Sequence, residues 1–101
     1  MYEFKEDVIL KDIEEYIAST YDEHYANSGK IQTTAYIMSQ FEDGIDFLRG
    51  NGLKYLSRYG IKAGRNQKDL LKTIHYCILM LYYDHYKESE NSSDNQNIKA
   101  G

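Results

Sequence analysis

The sequence predicts a single all-α domain: a compact four-helix fold over residues 1–87, followed by a disordered tail over 88–101. Three observations predict it. Proline is absent from all 101 residues, which removes the residue that most often interrupts helices and marks tight turns. Apolar residues recur at helical spacing in four separate stretches, most clearly at Leu70, Leu71, Ile74, Cys77, Ile78 and Leu81. The seven glycines are concentrated at a few points rather than spread at hairpin intervals. A chain of this size supports one modest core and buries roughly 60–65% of its unfolded surface.

The first helix is expected over about Glu6 to His24, where Ile9, Ile13, Tyr16 and Ile17 repeat with charged residues between them. Asn27, Ser28 and Gly29 break the pattern. Thr33 or Thr34 then serves as N-cap for a second helix that reaches Glu42 or Asp43 and buries Ile37, Met38 and Phe41. Gly44 stands where a left-handed helix stop is comfortable. A third helix runs from about Asp46 to Tyr59 and buries Phe47, Leu48, Tyr55 and Leu56. Its interior holds Gly50 and Gly52, each costing about 1 kcal/mol of helix propensity, which suggests close approach of another backbone or a ligand, with a kink or a second short helix as the equal alternative. Gly60 to Asn66 is a loop. The fourth helix has Asn66 as cap and Asp69 at the N3 position. After Lys87 the run ESENSSDNQNIKAG loses all periodicity, the basis for expecting a disordered tail.

Composition narrows the setting. The lone cysteine, Cys77, forms no internal disulfide and lies in an apolar run, which fits a reducing compartment and a buried side chain. No run of about 18 apolar residues occurs, and the N-terminus opens with charge, so a soluble intracellular protein with no membrane partner is expected. Tyrosine supplies eleven of the fourteen aromatics. So much Tyr suits a small core with amphipathic edges, a shared oligomer surface or a base-stacking pocket, and a homo-oligomer is the expected state.

Charge is the sharpest signal. Seven of the twelve Lys and Arg residues (Arg49, Lys54, Arg58, Lys62, Arg65, Lys68 and Lys72) fall between positions 49 and 72, a segment with one acid, Asp69. The segment carries net +6 within a chain of net −4. A basic island on an acidic protein marks a place for a phosphate-rich ligand. On a helix Asn51, Lys54 and Arg58 share one face, and Lys68, Lys72 and His75 form a second stripe. An antiparallel pairing of the third and fourth helices brings the stripes together near a helix N-terminus that favours anions. The alternative is a solvated face in which Asp69 pairs with Lys54 or Arg58. Long nucleic acid is not the expected partner, because the net negative charge repels an extended polyanion outside the contact zone.

The remaining chemistry-bearing residues give weaker signals. Glu14 and Glu15 are adjacent and diverge on a helix; with Asp22 and Glu23 they read as a solvated acidic face rather than a Mg²⁺ site. His24, His75 and His85 are too far apart for a local ligand motif, and no metal or other cofactor is expected. His75, one turn beyond Lys72, is retained as a ligand-contacting residue. Tyr21, Tyr25, Tyr55 and Tyr59 are candidates to stack on a base; the alternative for Tyr55 and Tyr59 is the core stripe of their helix, which is favoured for Tyr55.

The run FLRGNGLKYLSRYGIKAGRNQKDLLKTIHY, with Gly50 and Asn51, Lys54 and Tyr55, Arg58, Gly60 and Lys62, then Asp69, Leu70, Lys72, His75 and Tyr76, resembles a group of small phage-encoded helical proteins often labelled nucleotide kinases. The upstream Thr20, Tyr21, His24, Tyr25 and Gln32 look like the T4-like phage members. The resemblance implies a phage accessory protein in the cytoplasm of an infected host cell. The kinase label itself finds no support in the residues: no GxxxxGK[ST] loop is present. The expected function is non-catalytic binding of a nucleotide-like, phosphate-bearing small molecule, with sequestration of a host cyclic nucleotide immune signal as its most concrete form. Asn51, Lys54, Arg58, Lys62, Arg65, Lys68 and Lys72 would neutralise phosphate, and Tyr21, Tyr25 and His75 would meet base or sugar. The alternatives are a metal-dependent nucleotide-processing enzyme and a protein that inhibits a host factor by direct contact.

Overall fold

The computed structural model describes residues 2–24 and 30–87, with the side chains of 22–24 and 30–32 outside that description. The expected break at Asn27, Ser28 and Gly29, the candidate Tyr25 and the tail 88–101 lie outside the described residues. The chain is all-α: α1 spans Glu6–His24, α2 Lys30–Ser39, α3 Ile45–Arg58 and α4 Gln67–Leu81, and a π-helical turn, Tyr82–Tyr86, extends α4. Among the described residues there is no strand, only an isolated bridge between Ile61 and Gly64. No helix among them is long and apolar enough to cross a membrane. The chain divides into two units, residues 1–44 and 45–101.

In the first unit α1 begins where the periodicity places it. Lys5 takes a left-handed conformation and its carbonyl accepts from the Ile9 amide, while the Glu6 carboxylate accepts from the Phe4 amide at 3.0 Å. Ile13 is buried, Tyr16 and Ile17 are half-buried, and Ile9 is exposed. The second helix departs from expectation. It starts at Lys30, so Thr33 and Thr34 are interior residues rather than caps, and Thr34 is buried. It also ends earlier, at Ser39, because the amides of Gln40 and Phe41 bond to the carbonyls of Ile37 and Met38 three residues back, a tightening that closes a helix. Phe41 is therefore carried out of the helix face and is exposed, whereas Met38 is buried, its sulfur lying beside Gly44.

The second unit is built on α3 and α4. Asn66 caps α4 as predicted, its Oδ1 accepting from the Lys68 amide at 2.9 Å. The reciprocal half of a capping box is not formed: the Asn66 amide donates to the Gly64 carbonyl instead of to Asp69. The connection from α3 turns through Gly60, Ala63 and Gly64, all at positive φ, and the Gly60 amide closes it on the Gly64 carbonyl at 2.8 Å. Leu48 is fully buried, and Gly52 and Tyr55 are buried on the same stripe of α3.

The buried face of α4 is not the apolar stripe that the sequence suggests. Asp69, Thr73 and Tyr76, at i, i+4 and i+7, turn toward α3. The Thr73 hydroxyl donates to the Asp69 carbonyl at 2.8 Å and lies 3.4 Å from the Gly52 carbonyl, and Tyr76 stacks on Tyr55. Cys77, Ile78 and Leu81, expected in the core, are exposed, as is Leu56 on α3. Gly52 faces this interface, where a Cβ would lie 3.6 Å from that of Tyr76, an ordinary van der Waals contact that an alanine would also make. A Cβ built at Gly50 meets nothing within 4 Å. Neither helical glycine is required by a close approach.

These details set three expectations for stability. Gly50→Ala should stabilise by about 1 kcal/mol, since it improves helix propensity without a clash, and should raise the thermal midpoint by several degrees. Ala63→Gly should add roughly 0.5–1 kcal/mol by relieving a left-handed alanine, read as a higher urea midpoint at unchanged slope. The third concerns His75, which is buried and whose pKa is lowered from its ordinary 6.5 by desolvation. The folded chain therefore binds fewer protons than the unfolded one. Its stability should be fullest above pH 6.5 and decline as the pH falls from there toward the lower native pKa. Denaturation of the protein and of His75→Gln between pH 7.5 and roughly 5 checks this, because only the parent should carry that slope.

Candidate functional site

Three cations of the basic island converge on one ring. Lys54 and Arg58 lie one turn apart on α3, and Lys72 reaches across from α4. The Lys54 Nζ lies 4.7 Å from the Tyr55 ring centroid, the Lys72 Nζ 4.8 Å and the Arg58 Cζ 5.2 Å. Tyr55 is itself held by Tyr76, with centroids 6.1 Å apart and planes 13° from parallel. The ring is thus a fixed platform, and its π-face offsets part of the repulsion among the cations.

The attraction of a ring does not neutralise three positive charges. All three lie within roughly 10 Å of one another, about one Debye length at 0.1 M salt, so salt screens their repulsion only in part. Among the described residues none of the three makes an ion pair. The Nε of Arg58 is buried and has no hydrogen-bond acceptor, and a buried donor left unmet carries a desolvation cost that an incoming acceptor would remove. The expected alternative, Asp69 pairing with Lys54 or Arg58, is not formed. Asp69 is buried, with 6% of its surface exposed, yet its carboxylate makes no hydrogen bond or ion pair among the described residues.

The other predicted contacts are placed less closely. Asn51 is half-buried and its Nδ2 donates to the Phe47 carbonyl at 2.9 Å, so part of its donor capacity is spent inside α3. Lys62 and Arg65 are exposed in the connection, and Lys68 is exposed in the first turn of α4. The Arg65 stem passes Gly60, its Cγ 3.9 Å from where a Cβ would stand. His75 is buried rather than presented at the surface, and desolvation keeps it neutral at pH 7, so it offers a ligand no positive charge. Tyr21 is exposed on α1 in the first unit, and Tyr25 lies outside the described residues.

Sequence reasoning offers Tyr55 as core or as a base-stacking ring, and misses its stack on Tyr76. The ring is buried and also ringed by cations. The signal that finds it is the spacing Lys54-Tyr55 followed by Arg58, which puts two bases beside one aromatic on adjacent turns. Among the described residues no group of three or more His, Cys, Asp or Glu stands together in a way that would hold a metal ion.

No curated protein and no solved structure matches the chain significantly. Residues 19–77 match the family described as "Protein of unknown function (DUF3310)", a span that covers more than half of the chain and contains Lys54, Tyr55, Arg58, Asp69 and Lys72. The chain therefore belongs to this family.

Proposed function

We propose that this is a non-catalytic phage accessory protein that binds a phosphate-bearing, nucleotide-like molecule between α3 and α4, and that it acts by sequestering a cyclic nucleotide immune signal of the host. The observation that carries the binding part is the convergence of Lys54, Arg58 and Lys72 on Tyr55 without an anionic partner among the described residues. A phosphate placed there accepts from the Arg58 guanidinium and both ammonium groups and relieves their mutual repulsion. The phage setting and the immune-signal identity of the ligand rest on the resemblance of residues 16–80 to phage proteins. Apolar side chains left exposed on the second unit, Leu53, Leu56, Ile78 and Leu81, favour assembly of copies through that unit.

Lysine and arginine attract phosphate but offer no proton transfer at neutral pH, and His75 is buried and neutral there. Binding without turnover is the consistent reading. A metal-dependent enzyme would instead convert the ligand, and an inhibitor of a host protein would bind no small molecule.

Calorimetric titration with cyclic mono- and dinucleotides tests the site. Lys54→Ala together with Arg58→Ala should weaken binding by about 100-fold or more, because each charge-assisted contact is worth about 1.5–3 kcal/mol, while circular dichroism keeps its helical signal. Affinity should also fall as salt rises. Survival of binding in the double variant would place the site elsewhere. Ligand recovered after denaturation should be chemically unchanged, and recovery of a cleaved or phosphorylated product would establish catalysis instead.

A further inference from the structure

The helices α3 and α4 carry two seams, and only one of them is used between the pair. That one is the stripe of Gly52 and Tyr55 against Thr73 and Tyr76. At about 100° per residue, the residue before each position of a stripe falls on one flank and the residue after it on the other. Lys54 precedes Tyr55 and Lys72 precedes Thr73, and both reach the Tyr55 ring, so the preceding flanks of these antiparallel helices share one side. The following flanks share the opposite side. They carry Leu53 and Leu56 on α3, and Leu70, Ile74, Cys77 and Leu81 on α4. Leu53, Leu56, Cys77 and Leu81 are exposed there, and Leu70 and Ile74 are half-buried. The pair therefore has a cationic side and, away from it, an apolar one.

We propose that two copies of the chain pair two-fold through this apolar side, forming a four-helix bundle of both α3–α4 pairs that leaves one cation site on each outer side. The spacing fits. Positions 46, 49, 53 and 56 of α3 and 70, 74, 77 and 81 of α4 alternate steps of three and four, the period of a bundle seam. Read backwards, either series has the same steps, so an antiparallel copy meets its match: Leu70 faces Leu81 and Ile74 faces Cys77. Charge selects this side for an identical partner. It carries one acid, Asp46, against one base, Arg49, whereas the opposite side is cationic and residues 1–44 hold ten acids against three bases. Surfaces of either of those kinds repel their own copies. This pairing rests on the assembly reading above, to which it adds the face and the partner, and it does not depend on the ligand.

The test is sedimentation equilibrium of the full, ligand-free chain at tens of micromolar, with the rate at which a maleimide reagent modifies Cys77. The parent should show twice the chain mass and a protected Cys77. Leu53→Glu together with Leu81→Glu, two exposed positions changed to a good helix former, should give a monomer whose Cys77 reacts about ten-fold faster or more, with the circular dichroism unchanged. Lys54→Ala with Arg58→Ala should remain a dimer, because those bases lie on the other side. A monomeric parent overturns the proposal, and that measurement needs no variant: a reactive Cys77 would then mean a bare face, and a protected one a face covered by residues 1–44 of the same chain. A dimer that survives the two glutamates, or that is lost with Lys54 and Arg58, places the interface elsewhere and overturns it too. Each of those failures leaves the phosphate reading standing, whereas a dimer that binds no nucleotide ends that reading alone.

Discussion

The packing of α4 on α3 through Thr73 and Tyr76 is the constraint on which the second unit depends. The Thr73 hydroxyl lies 3.4 Å from the Gly52 carbonyl, and Tyr76 stacks on Tyr55. Once Tyr76 stacks on Tyr55, that ring has one orientation, and Lys54, Arg58 and Lys72 are arranged around it. The Tyr55–Tyr76 stack thus joins packing to the candidate site.

The same constraint explains where the hydrophobic residues are. A helix that packs through a polar and aromatic stripe leaves its aliphatic stripe facing elsewhere, and Ile78 and Leu81 are exposed as a result. Exposed aliphatic surface of this extent is unfavourable in water at about 25 cal/mol per Å². The energetic preference for apolar burial did not choose the α3–α4 interface. The Thr73 contact and ring stacking did, and they placed a titratable pair, Asp69 and His75, among the most buried residues of α4.

The arrangement of charge follows from helical geometry acting on that interface. Lys54 and Arg58 are one turn apart on α3 and flank the stripe that carries Tyr55, while Lys72 flanks the stripe of α4 that carries Tyr76 and Asp69. Packing the two stripes against each other brings the flanking bases to a common edge. The ring shared by the three cations softens their repulsion but leaves the charge uncompensated, and the buried Arg58 Nε lacks an acceptor. An anion is the chemical complement of that edge.

The sequence by itself determined the helices and the composition of the basic island. Apolar period, the absence of proline and the Asn66 cap are local properties, so the bounds of α1 and the start of α4 were legible from neighbouring residues alone. The end of α2 was not, because a tightening of hydrogen bonds at Gln40 and Phe41 has no strong residue signature. Membership of the basic stripes was legible too, since it follows from spacing on one helix. Only the tertiary structure decided which face of α4 is buried, that Cys77 is exposed and His75 is not, and that Tyr55 is the ring the cations share. Each of these depends on how two helices rotate against each other. That rotation is set by the Thr73 contact with the Gly52 carbonyl and the Tyr55–Tyr76 stack, contacts between residues some twenty positions apart that no local pattern encodes.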